Sequence, residues 1–109
     1  MVVYLSNAFS LSMLTAPEVL VKIKELTVDD VKKLLQNDFI SVIGHESTAQ
    51  LLSQLLSLNI PVNRVSITLR PSDKLVVFQL TTRLSEGRVL TLDELKQLKY
   101  KFYLVEVVQ

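Results

Sequence analysis

Apolar and polar positions recur along this chain in short, distinct stretches. Val2-Val3-Tyr4-Leu5 is an unbroken run of β-branched, aromatic and aliphatic residues, the pattern of a buried strand. Asn7-Ala8-Phe9-Ser10 follows as a loop. Val19 to Lys24 alternates apolar with polar towards its end, which predicts a strand with one wet face. Thr27 to Leu35 has helical spacing, with Thr27 as N-cap and Asp29 and Asp30 in the first turn, where the helix dipole favours acids. Phe39 to Ile43 is mostly apolar and ends at Gly44. Leucines at 51, 52, 55, 56 and 58 then form a wide stripe on a helix from Ala49 to Leu58, which Pro61 terminates.

The second half reads with equal economy. Arg64 to Leu69 alternates cleanly and predicts a strand; Arg70-Pro71-Ser72-Asp73 is a turn, and Lys74 to Leu80 is expected as its hairpin partner. Thr82 to Leu90 reads as a loop, Thr91-Leu92-Asp93-Glu94 as a capping box opening a helix to about Lys99, and Tyr100 to Val108 as a last strand. About five strands and three helices, joined by hairpins and crossovers, predict an α/β (α+β) fold. We expect a mixed sheet with helices packed mainly on one face, in a single domain spanning 1–109. Its other face would stay apolar, so a homodimer is expected.

Charge changes the picture by exclusion. Twelve basic residues against eleven acidic ones give a net charge of +1, too small an excess for a protein that coats long nucleic acid. With no cysteine there is no disulfide framework and no thiolate metal site; a lone histidine argues against a histidine-built zinc site. The residues before Glu18 are uncharged but lack a basic start, and Ser6, Asn7, Ser10 and Ser12 interrupt them, so neither a signal peptide nor a membrane span is expected.

Two segments could carry chemistry. Gly44-His45-Glu46-Ser47-Thr48 lies at the mouth of the leucine-rich helix, where free N–H groups and the dipole attract anions. Histidine as a residue type exchanges its proton around neutrality, which suits it to acid–base work there. The plain alternative is that Ser47 and Gln50 form a capping box and His45 does nothing chemical. Arg83-Leu84-Ser85-Glu86-Gly87-Arg88 sets two arginines around a glycine, a pattern fit to clamp phosphates; its alternative is a solvated loop with a surface ion pair. Asn7, Ser10 and Arg64 are weaker candidates, residue types that at such places more often serve turns and strand edges. Ser10, Ser47 and Glu86 supply the parts of a serine triad, but no spacing arranges them as one.

Asn7-Ala8-Phe9-Ser10, Gly44-His45-x-Ser47-Thr48, Asn63-Arg64-Val65 and Arg83-Leu84-x-Glu86-Gly87-x-Val89-Leu90 together resemble, in order and spacing, the small anti-CRISPR ring nucleases of archaeal viruses and phages. The resemblance spans nearly the whole chain. It implies a viral homodimer, in the host cell cytoplasm, that binds cyclic tetra-adenylate and cuts it without metal or other cofactor. It further implies a catalytic role for His45, Arg83 and Glu86, and a ligand lined by Asn7, Ser10, Ser47, Thr48, Arg64 and, by strand position, Gln79; Arg88 joins them as the second arginine of its loop. That loop would then act as a lid over the ring. Two other readings remain open: a module that sequesters a cyclic nucleotide or host partner without cutting it, and a DNA-binding regulator.

Overall fold

The computed structural model describes residues 2–80 and 99–108. Its strands are β1 (Val3–Ser6), β2 (Val21–Leu26), β3 (Ile40–Ser41), β4 (Lys74–Leu80) and β5 (Tyr100–Val107); its α-helices are α1 (Val28–Leu34) and α2 (Glu46–Leu56). All five strands join one sheet in the order β2-β5-β4-β1-β3. β1 runs parallel to both β3 and β4, while β5 runs antiparallel to β4 and β2. The sheet is therefore mixed, as the pattern predicts.

Alternation along the strands divides the side chains between two cores. Towards the helices, Val3 and Leu5 of β1, Val76 and Phe78 of β4, and Phe102 and Leu104 of β5 pack against Val31 of α1 and Ala49, Leu52 and Leu56 of α2. Phe78 and Phe102 lie with ring centroids 5.2 Å apart, and Tyr100 approaches Phe102 edge-on at 5.8 Å. Each fully buried side chain of this size contributes about 1.5–3 kcal/mol. Both helices lie on this face. α1 starts at a complete capping box: Asp30 N donates to Thr27 Oγ1 at 3.1 Å, and Thr27 N to Asp30 Oδ2 at 3.0 Å.

The opposite face is not bare. Leu69, Leu75, Val77, Val105 and Val107 are buried there, and Phe9, Met13, Leu14, Val19 and Ile67 pack over them. The covering segments are joined by Leu69 N donating to Met13 O at 2.7 Å. The open apolar face from which a homodimer was expected is thus covered by the chain itself.

The strand expected at Arg64–Leu69 does not form. Both sides of β4 are occupied, by β1 and β5, so no ladder position is left for a hairpin partner. The alternation serves one-sided packing instead: Ile67 and Leu69 turn to the sheet, while Val65 is 48% exposed. The turn that follows is as expected, with Asp73 N donating to Arg70 O at 3.0 Å and Ser72 at φ 78°. The leucine-rich helix begins at Glu46 rather than Ala49, so Ser47 is not its cap; Gln50 Nε2 donates instead to Glu46 Oε1 at 3.3 Å. The loop expected at Thr82–Leu90 and the helix opening at Thr91 lie outside the described residues.

Candidate functional site

Because β1, β3 and β4 run parallel, their carboxyl ends share one edge of the sheet. Open sheets of this kind bind ligands beyond such carboxyl ends. Asn7 follows β1 directly there and is exposed. The chain leaves β4 at the same edge, after Leu80, and returns at Tyr100. β3 continues past Ser41 with Val42 N donating to Leu5 O at 2.7 Å, and then delivers Gly44 and His45 to the start of α2.

His45 is the N-cap of α2, extended at φ −125°, ψ 134°, and exposed. Ala49 N donates to its carbonyl at 3.1 Å, closing the first helical turn. Its side chain makes no capping hydrogen bond, so the first N–H groups of the helix are left to other partners. Ser47 and Thr48 sit in that first turn, Ser47 half-buried and Thr48 buried.

Arg64 reaches this point from a different part of the chain. A methyl group built on Gly44 would lie 3.5 Å from both Cγ and Nε of Arg64. The segment carrying Arg64 is fastened to β3: Asn63 N donates to Ile43 O and Asn63 Nδ2 to Ser41 O, each at 2.8 Å. Ser41 Oγ donates to Pro61 O at 2.6 Å and accepts from Ile43 N at 3.3 Å. These bonds occupy the outer edge of β3, which otherwise has no strand beside it. Sequence reading found Arg64 but not Ser41, and Asn63 only as part of a motif. Their contribution depends on contacts about twenty residues apart.

The other candidates divide by position. Ser10 is exposed and caps a 3-10 turn, Leu11–Met13, its Oγ accepting from Ser12 N at 3.3 Å. Gln79 is exposed near the carboxyl end of β4 but lies two and four residues beyond Val77 and Leu75, which places it on their face, away from α2. Arg83, Glu86 and Arg88 lie outside the described residues. Among the described residues, no group of three or more His, Asp and Glu side chains is arranged to hold a metal ion, and no helix is long and apolar enough to cross a membrane. A groove of about 370 Å³ on the flank of α2 includes Glu46, Gln50 and Val62, but neither His45 nor Arg64.

Fold and site together define a small α+β domain with parallel strand ends converging on a helix start whose N-cap histidine makes no capping bond. The chain belongs to the STIV B116-like family, which it matches over residues 3–102. It is 43% identical over 107 residues to protein 26 of Sulfolobus islandicus filamentous virus (isolate Iceland/Hveragerdi), covering 96% of this chain and 91% of that one. YddF of Bacillus subtilis (strain 168) is 35% identical over 101 residues, covering 90% of this chain and 94% of its own length. The structure superposes on B116 of Sulfolobus turreted icosahedral virus with a TM-score of 0.85 and 31% identity, over 97% of this chain and 99% of B116.

Proposed function

We propose that this protein is a viral ring nuclease that cleaves cyclic tetra-adenylate without a metal and so silences a type III CRISPR alarm in the host cytoplasm. The observation that carries this reading is the pairing of His45, at the uncapped start of α2, with Arg64 held over the adjacent Gly44. Helix N–H groups and a guanidinium attract one phosphate, and a histidine beside it can move a proton.

An RNA linkage carries its own nucleophile, so the protein need only align it and stabilise charge. The ribose 2′-oxygen attacks the adjacent phosphorus and loses its proton to solvent or a neighbouring base. The P–O5′ bond breaks, and protonated His45 gives its proton to the departing 5′-oxygen. The products carry a 2′,3′-cyclic phosphate and a free 5′-hydroxyl. Arg83 and Glu86 complete the catalytic set by the resemblance, which also has Asn7, Ser10, Ser47, Thr48, Gln79 and Arg88 lining the ring, Gln79 from the face of the sheet away from α2. A two-fold homodimer suits a four-fold ring, each copy supplying one His45.

Incubation of purified protein with cyclic tetra-adenylate in excess chelator, with chromatographic and mass analysis of products, tests this. Linear products ending in a 2′,3′-cyclic phosphate are expected. A ring that is bound but intact would make the protein a sequestering module, and one left unbound would remove the reading altogether.

A further inference from the structure

We infer that Asn63, braced by Ser41, is a positioning residue that sets Arg64 beside the start of α2. The inference rests on the functional reading above and adds to it a residue that need not touch the ligand.

Arg64 stands on an irregular segment, is itself exposed, and begins no strand that would fix it. Yet its stem lies over Gly44, with Cβ at 3.8 Å from a methyl group built there and Cγ and Nε at 3.5 Å. What locates the segment is the residue immediately before it. Asn63 spans the edge of β3 with two donors, its backbone N–H on Ile43 O and its side-chain amide on Ser41 O. Ser41 is buried, and its hydroxyl ties Pro61 on the same segment back to Ile43 N. The carbonyls that Asn63 holds lie one and three residues before Gly44. One clasp therefore fixes both Gly44 and the arginine that covers it. A site for a phosphate needs such placement, because a guanidinium that wanders loses most of its advantage in binding.

Asn63→Ala keeps the backbone bond to Ile43 and removes only the side-chain one, so the variant should fold. The ligand-independent measurement is the Arg64 Nε–Hε signal by NMR. In Asn63→Ala it should move towards the position of a freely rotating arginine, whereas in Arg70→Ala, a distant control, it should stay. The functional measurement is a double-mutant cycle on cyclic tetra-adenylate binding. Asn63→Ala should weaken binding by about tenfold, and Asn63→Ala/Arg64→Ala should bind no more weakly than Arg64→Ala alone. A purely structural role would give additive losses. Additivity, or an unmoved Arg64 signal, overturns the inference. If the wild type leaves the ring unbound, the functional reading falls, and the Arg64 signal alone decides whether the clasp positions it.

Discussion

The side chain of Arg64 lies across Gly44, with Cγ and Nε 3.5 Å from where a β-carbon would stand. That distance is ordinary contact, and Gly44 does not occupy a backbone region reserved for glycine. Neither the space nor the backbone therefore demands glycine over alanine here; Arg64 above it limits only larger side chains. Gly44→Ala should fold and melt within about 1 kcal/mol of the wild type, since it also lowers the entropy of the unfolded chain. Gly44→Leu should also fold but push Arg64 aside. Titration with cyclic tetra-adenylate should show near-normal binding for the first and at least about tenfold weaker binding for the second. Equal affinities would detach Arg64 from the site.

Acid should act on the start of α1. The Asp30 carboxyl is held below the usual carboxylate range, first by the Thr27 backbone N–H and then by the Thr27 hydroxyl, with Lys24 and Lys33 adding attraction. A carboxyl lowered on folding stabilises the protein above its unfolded titration range and loses that contribution as pH falls through the folded one. Asp30→Asn should thus be less stable than the wild type at pH 7, and the gap should narrow below about pH 4. Denaturant melts at several pH values measure it. A gap that stays constant with pH would place the loss elsewhere.

Much of this fold was legible because its signals are local. Thr27 and Asp30 are three residues apart, and the leucines of α2 repeat within one helix. β3 was not legible as a strand, since two residues carry no period; it exists because Tyr4 and Leu5 of β1 offer it a partner. Arg64–Leu69 misled for the opposite reason: it has a strand's period, but its expected partner β4 already lies between β1 and β5. The site divides in the same way. His45, Ser47 and Thr48 announce themselves by adjacency at a helix start. That Asn7 and Arg64 reach the same edge follows only from the parallel pairing of β1 with β3 and β4 and from the Asn63 clasp.

Asp73 should prove a structural anchor rather than a site residue. It is buried, and its carboxylate accepts from Val2 N at 3.3 Å and Arg70 N at 3.0 Å, tying the turn before β4 to the start of β1. The adjoining Lys74 N donates to Val2 O at 2.8 Å, extending the ladder. Asp73→Ala leaves two N–H groups without their acceptor, and should cost about 1–3 kcal/mol. For a domain of this size each kcal/mol lowers the melting temperature by roughly 4–8 °C. A thermal melt by circular dichroism reads the loss; a melting temperature within one degree of the wild type would mean that water replaces the carboxylate fully.

His45 should show stability and activity pulling apart. The position is an N-cap, where serine, threonine, aspartate or asparagine would accept a hydrogen bond from the first turn, and the histidine makes none. When protonated it also carries positive charge at the end of the helix dipole that favours negative charge. A bound phosphate relieves both costs, because it supplies the missing acceptor and the missing negative charge. His45→Asn should therefore raise stability by about 0.5–2 kcal/mol. It should slow ring cleavage by roughly 10²–10⁴-fold, the share of a general acid, with binding retained. His45→Ala should lose the same activity without the gain in stability. Melts of the ligand-free proteins, set beside single-turnover cleavage in excess chelator, separate the two effects. If His45→Asn cleaves at the wild-type rate, the histidine is no acid in this reaction. If it melts no higher, the helix start is already satisfied by a partner other than a phosphate.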